Sequence, residues 1–194
     1  MPAWLDALES AAPITVGAYR SFVDGAFLTV RRAVRRNGGE GSAGVAAAEL
    51  AALAGAMARV VGGLSDAALR APGGEADWNV AQAVGHVTDA RAGLSLAASL
   101  AASGRWSADA RPVVPGVPGP PDRGREDLVR RIATSQRVVE RAARAVAGHE
   151  LDPCPLEHPL VGRLRCGEWL LFAGVHDLMH LEQLHRLGAA DGPP

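Results

Sequence analysis

The sequence predicts an all-α fold, on three observations. No segment sustains the alternation of apolar and polar residues that a half-buried strand requires. Alanine and leucine dominate the periodic stretches, which repeat apolar positions at spacings of three and four, as helices do. Glycine and proline, which stop helices, separate the stretches. With 194 residues the chain can build one full hydrophobic core and is short for two, so a single domain with an extra arm is expected.

The first helix is expected over about Val16–Arg36, with Val16, Tyr19, Val23, Phe27, Val30 and Val34 at helical spacing. It ends in Arg31, Arg32, Arg35 and Arg36 before Asn37-Gly38-Gly39, a basic last turn that complements the helix dipole, followed by a glycine stop. A second helix is expected from about Gly44 to Gly63, with Leu50, Leu53, Met57, Val60 and Val61 on one stripe. A third follows Asp77-Trp78 and runs to about Ser103, with Val80, Val84, Val87, Leu94 and Leu100 facing a core and His86 in its middle. The segment Arg111–Asp122 holds Pro112, Pro115, Pro118, Pro120 and Pro121, through which no helix can continue. The fourth helix, about Arg125–Ala147, places Leu128, Ile132, Ser135, Val139, Ala142 and Val146 on the seam of a bundle. The fifth spans about Glu168–Leu187.

Composition excludes several function classes. Lys plus Arg is 20 against 21 for Asp plus Glu, a net charge of -1, so no global field exists for nucleic acid or an anionic membrane, and neither partner is expected. All the cations are arginine, which reports a GC-rich genome and no function. Met1–Pro13 carries Asp6 and Glu9 where a secretory signal would carry positive charge and then an apolar run. The apolar stretch Ala51–Leu64 is interrupted by Arg59 and is too short to span a bilayer. A soluble cytoplasmic protein is expected, with Cys154 and Cys166 as free thiols.

The chemistry is concentrated near the end of the chain. His176 and His180 sit four residues apart in a helix, which puts two imidazoles on one face within reach of one divalent ion. A catalytic site of this kind usually takes three protein ligands and keeps a position for water. His185 lies too far around the helix to join them and reads as a surface residue; His149 and His158 would need a loop to fold back. His86 is the remaining candidate, because Ala83, Ala90 and Gly93 on its face let a neighbouring helix or an ion approach. A lone buried histidine is ordinarily a hydrogen-bonded core residue, and only the pair elsewhere turns this one toward a ligand role. His176-Asp-Leu-Met-His180 also differs from the metalloprotease motif only in Asp177 for Glu. The shorter carboxylate stands further from the water it would activate, which argues against that chemistry.

An ordered set of motifs carries a resemblance. Leu64-Ser-Asp-Ala-Ala-Leu-Arg70, Trp78-Asn-Val-Ala-Gln-Ala-Val-Gly-His86-Val-Thr-Asp89, His158-Pro-Leu-Val-Gly162 and Glu168-Trp-Leu-Leu-Phe172 are followed by His176-Asp-Leu-Met-His180-Leu-Glu-Gln183. In this order they resemble the DinB-like metal-binding four-helix bundles, over about Gly44–Gly188. The resemblance implies an all-α bundle at residues 41–188 whose second and third helices are joined by a long crossover, the proline-rich Arg111–Asp122. Residues 1–40 would form an additional N-terminal helical arm that packs on the bundle or joins two copies into a homodimer, and 189–194 a disordered tail. It also implies one divalent ion held by His86, His176 and His180, zinc first, with nickel, manganese or iron also compatible.

Family members with assigned chemistry include thiol transferases and isomerases that use low-molecular-weight thiols. The function expected is therefore a metal-dependent transferase of the thiol-dependent S-transferase or isomerase type, acting on a small electrophile. The alternatives are a metal-dependent hydrolase using a metal-bound hydroxide and a non-catalytic metal- or ligand-binding stress or sensor protein. Three neutral imidazoles leave the full double charge on the ion, which makes a bound water or thiolate the nucleophile. Gln183, on the same face as both helical ligands, is expected to orient the bound ligand, and Asp89 and Asp177 are candidates to hold the imidazoles from behind. Trp78 and Trp169 are expected to pack at the bundle ends, and the His158–Gly162 loop to cover one end.

Overall fold

The computed structural model describes residues 2–22, 26–72, 77–107, 109 and 116–189. Among the described residues, eight helices and one hairpin follow in order: α1 (Ala3–Glu9), α2 (Pro13–Arg20), α3 (Phe27–Asn37), α4 (Ser42–Gly63), α5 (Asp66–Arg70), α6 (Val80–Ala102), α7 (Arg125–Val146), β1 (Pro153–His158), β2 (Gly162–Arg165) and α8 (Cys166–Ala189). The bundle is α4, α6, α7 and α8. Helix α6 packs against α7 and α8, and α4 closes the square against the same two. The long connection between α6 and α7 is the proline-rich segment, of which 108 and 110–115 lie outside the described residues.

Local chemistry sets the helix starts. Asn79 caps α6 by accepting from Gln82 N at 2.8 Å while Gln82 Oε1 accepts from Asn79 N at 3.1 Å, a reciprocal box that satisfies two orphan donors. Ser65 caps α5 by accepting from Ala68 N at 3.0 Å. Glu168, buried in the first turn of α8, accepts from Arg165 N at 2.8 Å and Arg165 Nε at 2.6 Å, where a negative charge suits the helix N-terminus.

The core is two apolar clusters. One holds Leu50, Leu94, Val139 and Phe172, the other Leu53, Val87, Ile132 and Leu178. Between them, in sequence and in space, lies a polar layer centred on the fully buried Arg91 of α6. Arg91 Nη2 donates to Leu50 O of α4 at 2.8 Å and to Gln136 Oε1 of α7 at 2.9 Å, and Nε lies 3.1 Å from Asp177 Oδ2 of α8. One guanidinium thus touches every other helix of the bundle.

Three differences from the sequence reading have physical causes. The expected single helix over Val16–Arg36 is two: α2 stops at Arg20, where Ser21 Oγ donates back to Ala18 O at 2.6 Å, and α3 starts at Phe27. The region before α8, read without strands, is a short antiparallel hairpin. In β1 burial alternates over Pro153–Glu157, with Cys154 and Leu156 buried, but two of the outward positions are prolines, which read as breakers and not as strand. Helix α4 starts at Ser42, so its apolar run is longer than Ala51–Leu64 and passes a membrane-crossing test of length and composition, yet it is a bundle helix with Leu50, Leu53, Met57 and Val61 buried.

The first forty residues dock on the bundle. The buried Glu49 of α4 accepts from Ile14 N at 3.0 Å, Thr15 N at 2.8 Å and Thr15 Oγ1 at 2.5 Å, capping α2 from a neighbouring helix. A Cβ at Gly174 of α8 would lie 2.7 Å from Thr15 Cγ2, so glycine there is what lets α2 approach. The expected tail, 189–194, lies outside the described residues except for the backbone of Ala189.

Candidate metal centre

Helices α6 and α8 bring three imidazoles together. His86 Nε2 lies 3.3 Å from His176 Nε2, and His180 Nε2 lies 3.3 Å from His176 Nε2. All three ligand atoms fall within 4.8 Å of one another. Neutral imidazoles have no reason to point three lone pairs at one spot, but an ion supplies one. Tetrahedral Zn–N bonds of about 2.0–2.1 Å separate neighbouring nitrogens by about 3.3–3.4 Å, so the observed spacing fits a single divalent ion.

The tautomers agree. His86 Nδ1 donates to Val117 O at 2.9 Å, and His180 Nδ1 donates to Gln183 Oε1 at 2.9 Å. A carbonyl oxygen can only accept, so each Nδ1 carries the proton and each Nε2 keeps its lone pair for the ion. His176 Nδ1 is buried with no hydrogen-bond partner among the described residues. Burial, and then the neighbouring His180 and His86, hold the His176 imidazole well below its ordinary range, in the neutral form a metal needs.

The other expected site residues are placed as follows. Gln183 holds the His180 ring, with its Nε2 buried and unpartnered. Asp89 is on the outer side of α6, paired with Arg131 at 2.6 Å, and is not brought to the histidines. Asp177 follows His176 directly but points into the bundle at Arg91, because consecutive helical residues face about 100° apart. Burial pushes its carboxyl up to about 7 against the opposing pull of Arg91. His149 pairs with Asp152 at 2.8 Å on the exposed surface, and His185, read as a surface residue, stacks on Trp4 at 4.9 Å. Trp169 is a core residue, whereas Trp78 lies against His86 at 5.1 Å and lines the site instead of a bundle end. Cys154 and Cys166 are free, buried and in mutual contact, and neither belongs to the three-histidine cluster.

Sequence reasoning missed the crossover's part. A Cβ at Gly85 would lie 2.7 Å from Gly119 Cα, and Gly119 N donates to Gln82 O at 3.0 Å, so the crossover backbone lies flat on α6. That contact delivers the Val117 carbonyl to His86. The glycine preceding His86 and the one between Pro118 and Pro120 were the available signal.

The histidines open into a cavity of about 520 Å³. Its walls include Phe172, His158 and Met179, with Arg186 as the arginine among them, and the N-terminal segment contributes Tyr19, Phe22 and Phe27. Tyr19 Oη donates to Glu182 on α8, and burial raises the phenol's pKa, keeping it a neutral donor.

Comparison with known proteins agrees with this architecture. The family model described as the DinB superfamily matches residues 49–184, while no curated protein and no solved structure matches the chain. The matched span contains His86, His176, His180 and Gln183 and covers most of the bundle, and with the three-histidine cluster it fits a metal-binding DinB-like protein. The chain belongs to the DinB superfamily.

Proposed function

We propose that this protein is a metal-dependent transferase that joins a low-molecular-weight thiol to a small electrophile. The observation that carries the reading is that three metal-competent nitrogens face a cavity of about 520 Å³ and not a closed shell. A divalent ion bound there, zinc by preference, acidifies a thiol or water and supplies a nucleophile near neutral pH. The chain's own groups do the rest. Val117 O and Gln183 hold two imidazoles in register, and apolar side chains such as Phe172 and Met179 line the space beside them. Arg186, exposed at the cavity, is the group suited to hold a carboxylate of the thiol. That cation favours a thiol cosubstrate over a site that merely stores metal.

The test is incubation of the metal-loaded protein with a panel of carboxylate-bearing and carboxylate-free thiols and 1-chloro-2,4-dinitrobenzene. The thiol sulfur forms the new bond to the ring carbon as chloride leaves and the thiol proton passes to solvent. Metal-dependent thioether formation, with Arg186→Gln raising KM about tenfold only for carboxylate-bearing thiols, is expected. Metal-dependent ester hydrolysis indifferent to thiol would replace this reading with a hydrolase. Absence of both would leave a binding module.

A further inference from the structure

The segment outside the matched family region furnishes part of the site. The chain contains three phenylalanines, one tyrosine and four tryptophans. All three phenylalanines, the tyrosine and Trp78 line the same cavity. Phe172 is buried in the core, whereas Tyr19, Phe22 and Phe27 pack against that core and stay only partly buried, at the cavity. Phe22 and Phe27 lie with ring centroids 4.7 Å apart and planes tilted by 53°, both half-buried and lining the cavity.

The α2 side of the wall is fixed at both ends. Glu49 clamps the N-terminus of α2 through three hydrogen bonds, and Tyr19 at the other end of α2 is tied to Glu182 of α8. The clamp and the tie come from different bundle helices, so α2, which carries Tyr19 and leads into Phe22, is preorganised.

We propose that Phe22 and Phe27 are specificity-determining residues of the metal pocket, and that its substrate carries an aromatic ring seated on this wall while a donor atom reaches the three histidines. Offset and edge-on ring contacts reward a flat aromatic body beyond its area, whereas an aliphatic ligand of equal size gains only the area. The inference rests on the proposed metal-dependent function for the position of the donor atom, and on the aromatic wall alone for the ring.

The experiment separates the two. The cobalt(II)-loaded protein is titrated with benzohydroxamate and acetohydroxamate, which share a metal-binding head and differ in the ring, and the visible cobalt spectrum is read. Benzohydroxamate should bind at least about tenfold more tightly. Phe22→Leu/Phe27→Leu, which keeps apolar packing and removes the rings, should lose most of that preference while acetohydroxamate binding changes less than about twofold. Equal binding of the two probes by the parent, or an undiminished preference in the variant, overturns the proposal. In parallel, saturation transfer from the metal-free protein to benzoate reads the wall without an ion. Transfer that weakens in the leucine variant supports the wall even if cobalt fails to bind, a result that would sink the metal reading. Transfer indifferent to the variant overturns the wall.

Discussion

Helices α6 and α8 meet twice through polar side chains, and the two meetings differ in kind. On one face His86 meets His176 and His180 at an open cavity. On the other, five residues along α6 and one along α8, Arg91 meets Asp177 with no exposure at all. The buried pair joins four helices and divides two apolar clusters; removing one of its charges strands the other in a medium that cannot solvate it. The histidines carry no such burden, since they are neutral and losing one leaves no buried charge behind. The same two helices therefore separate a structural polar contact from a functional one by the angle between neighbouring side chains.

The largest expected effect tests the structural half. Asp177→Leu should destabilise the metal-free protein by about 3–5 kcal/mol in equilibrium denaturation, because Arg91, which stays charged, is left buried and unpaired. Arg91→Met/Asp177→Leu should recover most of that loss and still bind metal. A double variant that folds and binds no metal would mean the pair also positions the histidines, and the contrast would fail.

The functional half predicts the reverse pattern. Metal at about a hundred times its Kd should raise the stability of the parent by about 2.7 kcal/mol, and His176→Ala should abolish that increment while changing metal-free stability by less than about 1 kcal/mol. Metal analysis and thermal melts with and without chelator check it. Strong destabilisation of metal-free His176→Ala would make the histidines structural as well.

Gln183 sharpens the comparison, since it supports a ligand without being one. Gln183→Ala should leave the ion bound with affinity weaker by about tenfold, measured by competition with a chelating dye. Complete loss of the ion would place Gln183 among the ligands, and no change would remove its grip on His180 from the account.

The smallest expected effect is a pH slope. Asp177 is raised from 3.8 to about 7, so the folded protein retains a proton there that the unfolded chain gives up. The stability this contributes is complete below the unfolded value and is lost as pH rises through about 7. The metal-free parent should therefore lose stability between about pH 4 and pH 7 relative to Arg91→Met/Asp177→Leu. Parallel curves for the two proteins would show that Asp177 is ionised throughout.

Much of this was legible without coordinates. The periodicity of the four long helices ends within a few residues of the observed bounds, because long amphipathic segments declare themselves through repeated burial on one face. The spacing of His176 and His180 is a property of any helix, and the motif order tied His86 to them. Arg91 was not legible as a core residue, since an arginine in mid-helix looks the same in sequence whether it meets water or the centre of a bundle. The break between α2 and α3 was lost because it is shorter than the helical repeat around it, and the hairpin because prolines occupy the outward positions of β1.

By itself, then, the sequence determined the helical class and the bundle elements through local spacing, and named the three histidines that the structure brings together, His86 among them through the order of motifs. Only the tertiary structure decided which main-chain carbonyl holds His86, that Asp177 faces Arg91 and not an imidazole, and that Tyr19, Phe22 and Phe27 wall the cavity. Each of these joins residues far apart in the chain or turns on the angle at which two helices meet. A carbonyl has no residue type to read, and a rotation of a helix by one residue exchanges the face that sees the ion for the face that sees the core.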